Sequence, residues 1–108
     1  MSYRKGELTP AGVDRDWPFQ VARLHSLGTG KQGDVIDAFC ANLSLCPRGH
    51  NVTWEAEWYR VYCFAKQDDA EAFLERFGGE WFDPRERGRG HKWHFWYKGK
   101  FANKPARR

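Results

Sequence analysis

Apolar residues recur on two different periods along this chain of 108 residues. Ala70, Phe73, Leu74 and Phe77 follow an i, i+3, i+4, i+7 stripe, with Asp68 and Glu71 at capping-box-like spacing and Gly78-Gly79 as a stop. That pattern predicts a helix over 68–77. Val35, Ile36, Phe39, Cys40 and Leu43 form a second stripe behind Asp34, a residue suited to capping, and predict a helix over 34–45. Between the two stripes, segments around Val52–Glu55 and Trp58–Phe64 are rich in β-branched and aromatic residues and read as a strand pair. Their turn lacks the Asn-Gly signal usual in tight hairpins.

Trp17 to His25 reads as an earlier strand, with Pro18 at its first position or on an edge where no amide is needed. Glu80 to Asp83 reads as a short later strand stopped by Pro84, and His91 to Lys98 as a further one. The predicted order is β-α-β-β-α-β, the ferredoxin-like split βαβ plan of the α+β class. Its antiparallel sheet carries two helices on one face and leaves the other open, with an added carboxyl-terminal strand along an edge. The length suits one domain. The expected organisation is a flexible arm over 1–16, a single domain over 17–98 and a basic tail over 99–108.

Charge changes the picture. Residues 85–108 hold nine Lys/Arg and one acid, Glu86, whereas residues 1–84 hold nine Lys/Arg and thirteen acids. The net +4 is therefore a body of −4 carrying a segment of +8. Rings stand among those cations, and a basic, aromatic segment suits polyanions: charge neutralises phosphates while ring faces stack on bases. Arg85, Arg87, Arg89, Lys92, Lys98 and Lys100 are the candidate phosphate contacts, and Trp93, Trp96 and Tyr59 the candidate stacking groups. If 91–98 is extended, Trp93, Phe95 and Tyr97 turn inward and His94, Trp96 and Lys98 outward.

Gly28-Thr-Gly30-Lys-Gln-Gly33 spells GxGxxG between a strand and a helix. Gly30, Lys31 and Gly33 are candidates for a loose phosphate contact, although the chain is too short for a full dinucleotide-binding sheet and Asp34 opposes an anion there. Cys46, His50, His91 and His94 have tolerable but undiagnostic zinc spacing, so no metal is assigned. Cys40, Cys46 and Cys63 form an odd set without CxxC, which argues for reduced thiols, Cys46 being the most reactive. Arg60, inside the most apolar strand, either pairs across the hairpin with a carboxylate such as Glu55 or Glu57, the plainer expectation, or faces a ligand on the open side of the sheet. No apolar run approaches the ~18 residues of a membrane span, and a cytoplasmic location is expected.

The stretch Arg60-Val-Tyr-Cys-Phe-Ala-Lys-Gln-Asp-Asp-Ala-Glu-Ala-Phe-Leu-Glu-Arg-Phe-Gly-Gly-Glu80 resembles a segment of small bacterial proteins without an assigned activity. The likeness extends through Leu43–His50 and Trp81–Arg85 and implies the ferredoxin-like fold. The same stretch is similar to the third strand and second helix of an RNA-recognition motif. That resemblance implies base stacking at Tyr59 and Val61, of which Val61 is not aromatic. The function expected from these features is a non-enzymatic nucleic-acid-binding module, with no cofactor and no catalytic residue assigned. Two alternatives stand beside it. One is a protein-interaction or inhibitor module, of the kind mobile elements encode, docking a partner or second copy through an aromatic sheet face. The other is a small nuclease using histidines with Arg and Lys.

Overall fold

The computed structural model describes residues 9–100. Seven regular elements follow one another: helix α1 (Pro10–Asp16), strand β1 (Phe19–Leu24), helix α2 (Gly30–Cys40), strands β2 (His50–Trp54) and β3 (Glu57–Phe64), helix α3 (Gln67–Phe77) and strand β4 (Glu80–Phe82). The strands form one antiparallel sheet in the order β2-β3-β1-β4, giving a small α+β protein. Four of the predicted strands and the two long helices are present, with shifted ends, whereas the further strand predicted over His91 to Lys98 does not form. Short 3-10 turns cover His25–Gly28, Pro84–Glu86 and Gly90–Lys92. No helix among the described residues is long and apolar enough to cross a membrane.

The shifted helix ends have local causes. α2 begins at Gly30, with Thr29 as its flanking residue, so Asp34 lies inside the helix and does not cap it. α3 has no side-chain cap of its own either. Ser44 closes that end from outside: its hydroxyl accepts from the amides of Ala65 and Lys66 at 3.1 and 3.0 Å, and its own amide donates to Asp69 at 2.8 Å. The β2-β3 hairpin turns through Glu55 and Ala56, both with positive φ (52° and 68°). A type I′ geometry demands that sign at both positions, and the twist it supplies outweighs a strain of about 1 kcal/mol or more per residue.

Alternation along the strands sorts the core into two layers. Val21, Tyr62 and Phe64 pack under the helices against Ile36, Cys40, Ala70 and Phe73. Ala22, Val52, Val61, Cys63 and Phe82 face the other way and meet Val13, Cys46 and Trp96. The second face, expected open, is thus covered by α1 and the carboxyl-terminal segment. α1 itself corrects the reading of 10–16 as loose arm: the Thr9 hydroxyl accepts from Gly12 at 3.0 Å, and Pro10 stands in the first turn, where its missing amide costs nothing. Residues 1–8 of the expected arm, and 101–108 of the expected tail, lie outside the described residues.

Candidate nucleic-acid interface

The segment 86–98 is a closed loop, not a strand. Tyr97 donates its amide to the Glu86 carbonyl at 2.7 Å and Gly88 donates to Phe95 at 2.9 Å, while a 3-10 turn at Gly90–Lys92 forms the tip. A side chain at Gly88 would place its Cβ 2.0 Å from the Lys92 carbonyl oxygen, so only glycine allows the loop to close. β2 holds the returning limb at one position. The Thr53 amide donates to His94 at 2.7 Å, and the Trp96 amide donates to Thr53 at 3.0 Å.

That closure reverses the expected orientation of Trp96, which alternation along an extended 91–98 placed outward. The ring is only 3% exposed and sits among Trp54, Tyr59 and Phe82, with centroids 6.0, 5.3 and 5.3 Å away. Its Nε1 donates to Glu86 Oε1 at 2.9 Å, and the second oxygen of that buried carboxylate accepts from the Gly99 amide at 3.1 Å. Tyr59, the other stacking candidate on the sheet, is half-buried beneath Trp54 and Trp96.

Several of the candidate phosphate contacts are held by the protein's own carboxylates. Arg87 is paired with Asp14 of α1 and is 10% exposed at its side chain. Its other terminal nitrogen lies 3.1 Å from His50 Nε2. Burial, then the adjacent Arg87 guanidinium, hold the His50 ring down at about 4, so the imidazole is neutral at neutral pH. Asp14 also accepts from the Gln20 side-chain Nε2 at 3.0 Å. Lys98 pairs with Glu80 at 2.6 Å and stands 3.9 Å from the centre of the Trp54 ring. Arg85 pairs with Asp83 at 2.6 Å.

The loop tip has a different character. Arg89 and Lys92 are exposed and form no ion pair among the described residues. Trp93 beside them belongs to a connected row of rings that the sequence pattern does not reveal. Trp58 lies nearly parallel to His94 (23°, centroids 6.2 Å), His94 touches Trp93 and Phe95 at 5.5 and 4.5 Å, and Phe95 meets Tyr97 at 6.4 Å. Trp58, Trp93, Phe95 and Tyr97 are each 37–50% exposed. Lys100 approaches the Tyr97 ring at 5.8 Å. Trp58 joins this row because it pairs with Thr53 in the β2-β3 register, and Thr53 in turn bridges Phe95. That juxtaposition is tertiary; no local motif signals it.

The remaining candidates fall elsewhere. Lys31 is exposed in the first turn of α2, and Gly30 opens that helix with φ of 60°. A Cβ on Gly33 would stand 2.7 Å from the Gly28 carbonyl, so close backbone packing accounts for that glycine. Among the described residues no group of three or more His, Cys, Asp or Glu side chains is placed to hold a metal ion. Cys46, expected to be the reactive thiol, is buried on the covered sheet face, and burial raises its pKa above the ordinary thiol value. Compared with protein-family models, with curated proteins and with solved structures, the chain gives no significant match.

Proposed function

We propose that this protein is a non-enzymatic, nucleic-acid-binding module of ferredoxin-like split βαβ architecture acting in the cytoplasm. The element order within β1–β4 and the strand order β2-β3-β1-β4 support the architecture, with α1 and the 86–98 loop added on the second face. One observation carries the binding reading: the connected exposed row Trp58, His94, Trp93, Phe95 and Tyr97 lies beside the exposed cations of the loop tip. Ring faces stack on any base, while neighbouring cations hold the backbone by counterion release. Arg89, Lys92, Trp93 and Lys100 keep the roles expected of them, whereas Arg87 and Trp96 act as anchors of the loop. Trp58 replaces Tyr59 as the stacking ring contributed by the sheet.

The test is a fluorescence-anisotropy titration of labelled single-stranded and duplex oligonucleotides at low and moderate salt. Binding to the single strand should weaken steeply as salt rises. Trp58→Ala and Trp93→Ala should each reduce affinity about 5- to 100-fold. An absence of binding at low salt, or equal binding by both variants and wild type, would overturn the reading. Self-association that ignores salt and is lost in the same variants would assign the row to docking of a second copy.

A further inference from the structure

A second site lies away from the loop, in a cleft of about 530 Å³ between α2, the 43–49 connection and β3. Its lining combines apolar residues, among them Ile36, Leu43 and Leu45, with Arg60 and Asp37. The expected pairing of Arg60 with Glu55 or Glu57 is absent. In the sheet register Arg60 faces Asn51 on β2 and Arg23 on β1. Like charges directly opposite one another are unfavourable, and among the described residues neither guanidinium forms an ion pair. Arg23 is held by the Leu27 carbonyl at 3.3 Å, the Phe77 ring and the Tyr62 hydroxyl, whereas Arg60 lines the cleft itself.

Arg60 is positioned, not adrift. Its guanidinium lies 5.7 Å from the Tyr62 ring centre and so close to Gly49 that a Cβ there would stand 3.1 Å from Nη2. Burying part of a guanidinium without a counter-charge is costly, and a carboxylate matches its planar fork with two parallel hydrogen bonds. Asp37 lines the same cleft from α2 without pairing to Arg60. Its charge opposes a second negative charge on any occupant. We propose that this cleft binds a small monocarboxylate with an apolar body, its head on Arg60 and its chain against Ile36, Leu43 and Leu45. The size of the cleft suits a metabolite-sized ligand, and apolar side chains with a few placed polar groups are the usual composition of such sites. This site does not depend on the nucleic-acid reading.

Amide and methyl NMR titrations of the full chain with hexanoate, 1-hexanol and inorganic phosphate test it. Hexanoate should perturb Ile36, Leu43 and Leu45 saturably, hexanol and phosphate at least about tenfold more weakly. Arg60→Gln should weaken hexanoate binding by a similar factor, with resonances remote from the cleft unmoved. Asp37→Asn should narrow the preference for hexanoate over phosphate. The comparison of three ligands on wild type needs no variant, so a poorly folded Arg60→Gln leaves the proposal testable. Failure of hexanoate to saturate, equal binding of hexanol, or tighter binding of phosphate would overturn it. So would a preference that Asp37→Asn leaves unchanged.

Discussion

Arg87 and Asp14, 73 positions apart in the chain, form an ion pair that clamps the carboxyl-terminal loop to α1. The pair is largely shielded and shares its carboxylate with the buried Gln20. Removing one partner leaves the other desolvated and alone, which is more damaging than losing an exposed pair. Arg87→Ala should lower the unfolding free energy by about 2–3 kcal/mol. A urea-denaturation double-mutant cycle with Asp14→Asn should return a coupling above ~1 kcal/mol; additive effects would contradict a direct pair.

His50 connects that clamp to pH. Its pKa is about 4 in the folded protein against 6.5 in the unfolded chain, through burial first and Arg87 second. The unfolded state therefore binds more protons in that interval, and stability falls as pH drops from 6.5 towards 4. The full loss is of the order of 3 kcal/mol, complete once pH is below the folded value. Urea midpoints at a series of pH values should show this slope in wild type and a shallower one in His50→Gln. Equal slopes in the two proteins would remove His50 as its source.

Trp96 and Glu86 predict a graded series. Trp96→Ala removes the ring that Trp54, Tyr59 and Phe82 surround, a loss of about 3–5 kcal/mol. Trp96→Phe keeps a ring and deletes the donor to Glu86, which should cost about 1–2 kcal/mol. Calorimetric or chemical unfolding orders the two. A Trp96→Ala effect within ~0.5 kcal/mol would mean the ring is not buried in solution.

The loop tip should behave oppositely, changing binding and not stability. Arg89→Ala with Lys92→Ala touches exposed side chains and should move the unfolding free energy by no more than ~0.5 kcal/mol. The same double variant should reduce the slope of log affinity against log salt for single-stranded nucleic acid by up to about two. An unchanged slope would show that these cations do not touch phosphates.

Thiol chemistry offers a check on the fold. All three cysteines are buried, and burial raises each pKa, that of Cys40 to about 11. Neutral thiols shielded from solvent react slowly. Native protein at pH 7.5 should take up little of a chromogenic disulfide reagent, and urea should release three equivalents. Rapid labelling of Cys46 in native buffer would place it back in an open turn.

Much of the sheet and both long helices were legible because their signals are local. The stripe Ala70, Phe73, Leu74, Phe77 needs only helical geometry to define a buried face. The alternation through β3 needs only the pleat. α1 was less legible: Thr9 and Pro10 are a start signal, yet a seven-residue helix with a single buried Val13 has too short a period to stand out. The candidate interface was legible in composition and misread in orientation. Trp93, Arg89 and Lys92 lie at the exposed tip, but extension predicted Trp96 outward, where a loop closing at Gly88 turns it in.

The amino-acid pattern alone determined the types and order of the elements from β1 to β4 and the surplus of cations at the carboxyl-terminal end, since each depends on near neighbours or on counting. The tertiary structure decided which cations meet Asp14, Asp83 and Glu80, which rings join Trp58, and why Arg60 faces a cleft instead of a carboxylate. Those outcomes are set by strand register and by chain closure over tens of residues. Periodicity carries no record of either.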